Sequence, residues 1–384
     1  MPDLKKETVA EWLDPASLSG LSSDAQRVLE LRALGAKSSL AKLAKMLDVA
    51  GAGDRMRGSL QYYGAGRTGR WAGRLAQPQN LPRPDKGTNV DRVLKTIRLD
   101  GSLPELLYDK PLRTISSCLR GCLVARAGHV LYSIDLSQIE ARVMAWLAGQ
   151  DDLLERFRRG IDPYPVAAAS VGSGDRQLGK VMTLACQFGM GLDGVTFQKT
   201  AREQYGVELT LGEASAAVHA YRAANPAICR YWWDLGDAAK KALGGGRQRV
   251  GRHTEVWFSG RTFKIGKPNG EVLYWHAPKV VNDEFLFEGQ EQKSGNWMTL
   301  RTYGGKFSEN VTQSVARDVL ANAMIGVEER LGLVPVMHAH DEAVYEVPEG
   351  YDTGAIKAVF DTPPAWALDL PIASEARIGR RYGK

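Results

Sequence analysis

Two aspartates occupy positions at which a carboxylate could hold a divalent cation. Asp135 ends the strand-like segment HVLYSID and precedes a helix-like segment, whereas Asp341 lies in the turn of an apparent hairpin and is followed by Glu342. Hard cations such as Mg²⁺ prefer oxygen ligands and keep water or substrate phosphate in their remaining positions. Two such ions can activate an attacking hydroxyl and stabilise a leaving phosphate oxygen. Each aspartate alone also fits an ordinary role, as a helix cap at Asp135 and a turn former at Asp341.

A basic helix is predicted between the two aspartates, over residues 175–188 (DRQLGKVMTLACQF). Arg176, Lys180, Leu184 and Phe188 are spaced four residues apart, so they follow one face of the helix with only a slow drift. The two cations suit a triphosphate, and the two apolar groups suit the flat face of a base. An ordinary amphipathic helix with a solvated basic end would show the same spacing.

The stretch GAGRTG at residues 64–69 spells the glycine pattern of a dinucleotide site. Such a site requires a preceding strand and a helix that opens at the last glycine. Pro78, Pro82 and Pro84 follow closely and forbid a continuous helix, so the sequence argues against a dinucleotide site.

A zinc site is also disfavoured. His338 and His340 face one side of a predicted strand next to Asp341, but no third neutral ligand is evident. Cys118 and Cys122 are four residues apart without a second pair, which favours a helical contact over a metal site.

The composition favours a folded protein in a reducing compartment. Of the 384 residues, 44% are hydrophobic and 24% are charged, which is enough apolar material for two or three domains and too much for a disordered chain. Four cysteines are too few for a disulfide scaffold, and no apolar run is long enough to span a membrane. The first residues lack the apolar core of a secretory signal, so we expect a cytoplasmic location. The net charge of +6 is compatible with a polyanionic partner without proving one.

Long helices and antiparallel strands are mixed along the chain, which predicts an α+β fold and argues against a doubly wound parallel sheet. Apolar periodicity, with breaks at glycine and proline, predicts two helices over 22–48 broken near Gly35, a looped basic segment over 64–84 and a strand over 129–135. It then predicts a helix over 137–147 capped by Ser137 and further helices over 151–240, broken around 162–165 and 189–194. The last third is predicted to contain strands over 255–303 with a turn at 269–270, a helix over 308–330 and a hairpin over 334–347.

Five segments stand out along the chain: TGR with QNLP within 68–82, DLSQIEAR at 135–142, the helix from Arg176 through Lys180 to Phe188-Gly189, NVTQSVARD at 310–318, and the turn His340-Asp341-Glu342. Their order matches that in family A DNA polymerases of the phage-type branch, and the sequence resembles this family from about residue 60 to its end. Each motif alone is weak or moderate evidence, but their common order and spacing are specific, because unrelated caps and turns would not produce this set.

The resemblance implies the right-hand polymerase fold, with a palm of antiparallel sheet and helices, mostly helical fingers and a truncated thumb. It divides the chain into a helical amino-terminal segment that is a partial thumb remnant (1–60), a first part of the palm with motif A (61–150), fingers with motif B (151–260) and a second part of the palm with motif C (261–384).

The resemblance also implies a catalytic centre. Asp135 and Asp341, with the carbonyl oxygen of Leu136, would hold two Mg²⁺ ions, and Glu342 would be a weaker accessory. Lys180 would neutralise the triphosphate and donate a proton to pyrophosphate. The residues that would bind the nucleotide are Arg176, Lys180, Gln138, Glu140, Leu184, Phe188 and Tyr164.

Three nucleotide-binding positions depart from the family pattern. Leu184 replaces an aromatic residue, Phe188 replaces a tyrosine, and Tyr164 replaces a phosphate-binding histidine. Glu140 would crowd the sugar 2′ position and exclude ribonucleotides, but Phe188 has no hydroxyl with which to bond it. These departures affect sugar selection and nucleotide affinity rather than the reaction class.

Four residues would contact DNA under the same resemblance. Arg70, Gln313 and His340 would lie against the primer–template, and Asn80 would help to hold its backbone. Only about 60 residues precede the glycine- and arginine-rich segment, so we expect a partial thumb and no 3′–5′ exonuclease. A separately encoded amino-terminal polymerase or exonuclease part is therefore a further candidate partner.

The predicted function is template-directed DNA polymerisation, in which a primer 3′-hydroxyl attacks the α-phosphate of a dNTP and releases pyrophosphate. The implied partners are primer–template DNA and dNTPs, in the cytoplasm of a host cell if the chain is viral. Two alternatives remain open. One is a single-subunit RNA polymerase, against which Glu140 argues, and the other is a catalytically silent or partner-dependent DNA-binding fragment of a split polymerase.

Overall fold

The protein is described here by a computed structural model that covers residues 8–9, 12–13, 20–35, 38–85, 87–189, 193–291 and 294–383. Its helices are α1 (Ser23–Gly35), α2 (Ser38–Asp48), α3 (Val90–Leu99), α4 (Leu103–Leu107), α5 (Pro111–Ser117), α6 (Ile139–Ala148), α7 (Asp151–Arg158), α8 (Pro163–Ala169), α9 (Arg176–Cys186), α10 (Gly194–Tyr205), α11 (Leu211–Ala224), α12 (Pro226–Ala242), α13 (Gly304–Leu331) and α14 (Gly354–Phe360).

The strands of the described residues pair antiparallel, which confirms the α+β fold class. They are β1 (Leu60–Ala65), β2 (Arg70–Gly73), β3 (His129–Leu136), β4 (Arg247–Val250), β5 (Thr254–Ser259), β6 (Thr262–Gly266), β7 (Val272–Val281), β8 (Glu284–Gln290), β9 (Trp297–Thr302), β10 (Met337–Ala339), β11 (Glu342–Pro348) and β12 (Ser374–Gly379).

A four-stranded sheet in the order β10–β11–β3–β12 forms the floor of the molecule's main cavity. The side chains of Ile134 and Leu136 on β3 are fully buried, so they fix which face of the strand points into the core. The long helix α13 is buried along most of its length and packs against α6, α12 and α14. The register then places Asp135 directly opposite Glu342 on β11 and Glu375 on β12.

The helices between residues 139 and 242 form a second region, in which two short loops are fixed by aspartate caps. The Asp162 carboxylate accepts a hydrogen bond from the Tyr164 amide at 3.1 Å, and the Asp175 carboxylate accepts one from the Gln177 amide at 2.9 Å. Aspartate is favoured at this position because it satisfies an amide that the first helical turn leaves unpaired. The caps start α8 and α9 at defined residues.

A six-stranded meander, β4 to β9 in sequence order, occupies residues 247–302. Its inner face buries Val256, Phe263, Ile265 and Trp275, and β4 and β5 of the sheet pack against α12. The sheet includes residues on both sides of position 260, where the sequence places the border between fingers and palm. That division into domains stays a prediction.

Most predicted elements are confirmed, and one predicted cap is wrong. The predicted turn at residues 269–270 lies between β6 and β7, with Gly270 at a φ of 86°. Ser137 does not cap α6, because that helix begins at Ile139 after Gln138 in the left-handed conformation (φ 53°), with no side-chain cap. The segment 64–84 is less irregular than expected, since β1 and β2 form a hairpin within it. The predicted break at 189–194 includes residues 190–192, which lie outside the described residues.

Among the described residues, no helix has both the length and the apolar composition needed to cross a bilayer.

Helix α9 approaches α8 so closely that Gly179 cannot accept a larger residue. A methyl group at this position would collide with the backbone oxygen of Tyr164, which has little room to move. We predict that Gly179→Ala lowers the free energy of unfolding by about 2 kcal/mol. Gly212→Ala in α11 is the matched control, since its methyl group would meet no other atom within 4 Å, and it should be neutral or slightly stabilising. Urea unfolding measures both variants, and equal midpoints would contradict the close approach.

Candidate active site

One cavity of about 730 Å³ gathers most of the predicted site residues. It is bounded by β3, the turn before β11, the first turn of α6, and α9. The predicted residues that line it are Arg70, Asp135, Gln138, Glu140, Tyr164, Arg176, Lys180, Leu184, Phe188, Gln313, His340 and Asp341. Residues from distant parts of the sequence therefore share one solvent-accessible space.

The two aspartates lie on adjacent segments of the four-stranded sheet, at the base of this cavity. Asp135 is on β3, and Asp341 is in the turn between β10 and β11. The amide of Leu136 donates a hydrogen bond to the backbone oxygen of Asp341 at 2.9 Å. This bond joins the residue after one aspartate to the other aspartate, so the fold fixes their backbones side by side.

Three predicted site residues lie outside the cavity. The Glu342 carboxylate accepts a hydrogen bond from the Tyr382 hydroxyl at 2.8 Å. The side chain of Leu136 is fully buried, which leaves its backbone oxygen as the group that could reach a ligand. Asn80 lines a smaller neighbouring cavity of about 290 Å³, and Arg70 and His340 line both cavities.

The guanidinium of Arg176 is held at the cavity by an acidic residue outside the motifs. Its Nε lies 2.6 Å from the Asp162 carboxylate, and its Cζ lies 5.0 Å from the centre of the Tyr164 ring. The Gln138 side-chain amide donates to the other oxygen of Asp162 at 3.3 Å. Burial, with the nearby Asp162 carboxylate, raises the pKa of Tyr164 to about 12. Asp162 thus connects both sides of the predicted nucleotide pocket, a role that sequence reasoning missed.

The same face of α9 also presents its apolar, carboxy-terminal end to the cavity. Leu184 lines the cavity, and Phe188 lines it as a buried ring just beyond the last turn of α9. The backbone oxygen of the preceding Gln187 accepts a hydrogen bond from the Trp232 indole at 2.8 Å. This bond ties the residue that follows α9 to α12.

Glu140 forms an ion pair with Arg70 across the cavity. The guanidinium nitrogen of Arg70 is 2.7 Å from the Glu140 carboxylate, and both side chains are about three-quarters buried. Burial raises the pKa of Glu140 above its ordinary value, and the Arg70 guanidinium opposes that shift. The pair links the hairpin β1–β2 to α6, so the predicted DNA contact and the predicted sugar discriminator touch each other.

Sequence reasoning did not identify several other residues that line the cavity. They are Arg83, Ser137, Ile139, Ala141, Gln187, Tyr205, Glu309 and Glu375. Ser137 and Gln187 lie within the motif segments and could have been found there. Glu375 is brought in by its pairing opposite Asp135, and Tyr205 by the end of α10, for which the local sequence gives no signal.

The donor set fits a hard cation better than a soft one. The described residues contain no group of three histidine, cysteine or acidic side chains arranged as a metal site. The cavity instead offers the carboxylates of Asp135 and Asp341, and oxygen ligands of this kind suit Mg²⁺. The Cys122 thiol contacts the Cys118 backbone oxygen at 3.8 Å, but not within one helix, because α5 ends at Ser117 and Cys122 lies in the 3-10 turn that follows.

Comparison with known proteins shows that the chain is similar to DNA polymerases. The family model described as DNA polymerase family A matches residues 25–384. The DNA polymerase of Bacillus phage SP02 is 36% identical over 99% of this chain and 60% of its own length. DNA polymerase I of Pseudomonas aeruginosa is 28% identical over 76% of this chain and 29% of its own length. This chain thus spans at most about 60% of these relatives.

A solved structure shares the fold. The polymerase domain of Pol1 from M. smegmatis, in complex with DNA primer-template and dNTP, superposes with a TM-score of 0.61 at 18% sequence identity. The match covers 94% of this chain and 56% of that domain. It supports a right-hand polymerase architecture for the chain.

His338 lies beside the smaller cavity in an environment that disfavours its charged form. Its ring contacts the Trp71 ring edge-on with centroids 4.5 Å apart. Burial, together with the nearby Arg317 guanidinium, lowers the pKa of His338 to about 4.

We predict that His338 makes the protein less stable as the pH falls from 6.5 to about 4. The unfolded chain binds a proton at this histidine first, so the free energy of unfolding drops by up to about 1.4 kcal/mol per pH unit in that window. His338→Gln should reduce this slope in urea unfolding at several pH values. His219→Gln, on the exposed face of α11, is the control. Identical slopes for the two variants would contradict the prediction.

Proposed function

We propose, because the chain belongs to DNA polymerase family A, that it extends a primer by template-directed addition of dNTPs. The observation that carries the proposal is one cavity lined by both aspartates of the sheet and both cations of α9. Phosphoryl transfer requires little covalent chemistry from a protein, and it depends on positioning and on stabilisation of charge. The carboxylates can hold a metal ion and the basic side chains can bind the triphosphate, so together they supply both the positioning and the charge stabilisation.

We propose that Asp135 and Asp341 hold two Mg²⁺ ions, with the Leu136 backbone oxygen as a further ligand. Their backbones are fixed by the hydrogen bond between adjacent strands, so little reorganisation is needed when the site fills. The bound ions would activate the primer hydroxyl and offset charge on the phosphates. Glu342 is directed toward Tyr382, which suits an accessory that shapes the local field rather than a direct ligand.

The basic face of α9 is proposed to bind the triphosphate. Arg176 and Lys180 are one helical turn apart, so their cationic groups can follow neighbouring phosphates. Asp162 holds Arg176 in place before the nucleotide arrives and competes with phosphate for it. Lys180 is the proposed proton donor to pyrophosphate, and Tyr164 contributes the ring on which Arg176 rests.

The sugar and base are proposed to lie between Glu140 and the apolar end of α9. The Arg70 ion pair fixes the Glu140 carboxylate, which fills the space that a 2′-hydroxyl would need. In this way Arg70 replaces the tyrosine hydroxyl that Phe188 cannot supply. Leu184 and Phe188 offer apolar surface to the sugar and the nascent base pair, and Gln138 lines the same pocket.

Template and primer are proposed to approach from the side of the β1–β2 hairpin. Gln313 and His340 line the main cavity and Asn80 lines the smaller one, so contacts to the duplex would run continuously between the two. Arg70 borders both spaces and would turn from Glu140 toward DNA only at the cost of its ion pair.

Primer extension by the full chain tests the function directly. Asp341→Asn keeps the side-chain volume but removes the charge, so the rate should fall by at least about 100-fold. Glu349→Gln is the matched control, because Glu349 is exposed in the turn that follows β11, and this variant should extend the primer at the normal rate. Extension that survives Asp341→Asn would reveal a contaminant. No extension by the unmodified chain would favour a silent DNA-binding fragment.

Sugar selection tests the role of Glu140. Glu140→Ala should raise the ratio of ribonucleotide to deoxyribonucleotide incorporation by about tenfold or more, because it opens space beside the 2′ position. Glu140→Gln keeps the bulk and loses the charge, so it should retain the discrimination. A larger ratio in both variants would assign selection to the charge or to Arg70 instead of the bulk. A preference for ribonucleotides in the unmodified chain would favour an RNA polymerase.

A further inference from the structure

The outer face of the six-stranded sheet carries aromatic rings and cations in alternation. Cross-strand pairing places Arg247 opposite Trp257, Trp257 opposite Lys264, and Lys264 opposite Tyr274. Directly paired residues in a sheet share a face. On the last strand, Trp297 pairs with Gln290, and its ring lies 6.0 Å from the ring of His276. We call Arg247, Trp257, Lys264, Tyr274 and Trp297 the aromatic–cation row.

The row lies at the surface, with Arg247, Tyr274 and Trp297 exposed and with Trp257 and Lys264 half-buried. Tyr274 is 54% exposed and Trp297 is 62% exposed, large fractions for residues of this size. The Arg247 guanidinium lies 4.4 Å from the Trp257 ring centre, and the Lys264 ammonium lies 5.9 Å from the Tyr274 ring centre. The cations thus already sit over ring faces, in geometry that a nucleobase and its phosphate could share.

Charge on this face favours a polyanion. The outward positions carry more basic than acidic side chains, namely Arg247, Arg249, Lys264, Lys279 and Arg301 against Glu255, Glu284 and Glu288. Glu255 lies within 3.3 Å of both Arg247 and Arg249, and Glu284 lies 2.7 Å from Arg301. Exposed ion pairs of this kind contribute little free energy, so a phosphate can displace the carboxylate partner.

The sheet that carries the row is connected to the candidate active site through the β1–β2 hairpin. Arg67, in the turn of that hairpin, donates a hydrogen bond to the backbone oxygen of Gln290 at 3.4 Å, and it rests 5.5 Å from the ring centre of Phe287, which is buried on the inner face of the sheet. Three residues later, Arg70 lines the cavity with the aspartates. The edge of the sheet that carries Trp297 is therefore next to the hairpin. Five inter-strand steps make the row roughly 24 Å long.

We propose that the aromatic–cation row binds single-stranded DNA, namely the unpaired template strand that extends from the active site. Rings stack on bases of any sequence, and the interleaved cations contact the phosphates between them. The identification of the strand as template rests on the proposed polymerase function, whereas binding of single-stranded DNA to this face does not.

The test compares two primer–template duplexes that differ only in the length of the template overhang, about 2 or about 20 thymidines, a range that covers a typical single-strand site. Fluorescence anisotropy with the full chain, without nucleotide, measures both affinities. The unmodified chain should bind the long overhang about tenfold more tightly. The double variant Tyr274→Ala with Trp297→Ala should lose most of this preference and keep its affinity for the short overhang.

Two further variants make the result specific. Trp233→Ala, at a tryptophan that is 65% exposed on α12, is the matched control and should keep the preference. Trp297→Phe retains a ring and should keep most of it. Matching urea midpoints exclude unfolding as the cause.

Three outcomes would overturn the proposal. They are an unmodified chain without any overhang preference, a double variant that keeps it, and a double variant that weakens both duplexes equally. The first outcome would favour a protein partner, instead of single-stranded DNA, for the outer face of the six-stranded sheet. Failure of the proposed polymerase function would appear separately, as absence of primer extension with the overhang preference intact.

Discussion

The hydrogen bond between the Leu136 amide and the Asp341 backbone oxygen defines the geometry on which the cavity depends. It brings together the backbones of two aspartates that are far apart in the sequence, Asp135 and Asp341. The energy that holds them there comes from apolar burial, because Ile134 and Leu136 flank Asp135 and are fully inside the core. The packing of β3 therefore holds the base of the site in place.

The cations of the cavity are organised by dedicated acidic partners. Asp162 positions Arg176, and Glu140 positions Arg70, each at 2.6–2.7 Å. Such pairs lower the cost of ordering long side chains when a substrate binds, because the ordering is already present. They also keep the cavity from collecting unrelated anions, since an anion must displace a carboxylate. The same device therefore contributes both positioning and selectivity.

A buried network joins the β1–β2 hairpin, the long helix α13 and the six-stranded sheet. The carboxylate of Asp318, on α13, contacts both the Arg317 guanidinium of the same helix and the Lys267 ammonium, which follows β6. Arg317 also rests 4.7 Å from the Trp71 ring centre, where the hairpin covers the helix. Charges this deep must be paired, so these contacts fix the relative position of the three elements. The position of the six-stranded sheet relative to the hairpin and α13 follows from this network.

The sequence by itself determined the fold class and most elements, since apolar periodicity identifies β3, α13 and the final hairpin within a few residues. It also indicated which motif residues would converge, and the structure places most of them in one cavity, with Leu136, Glu342 and Asn80 outside it. Only tertiary structure decided that Glu375 lies opposite Asp135, that Asp162 holds Arg176, and that Gln138 takes the left-handed conformation in place of a cap at Ser137. Local patterns report which face of an element is buried, but strand order and side-chain pairing depend on contacts between segments that no local window contains.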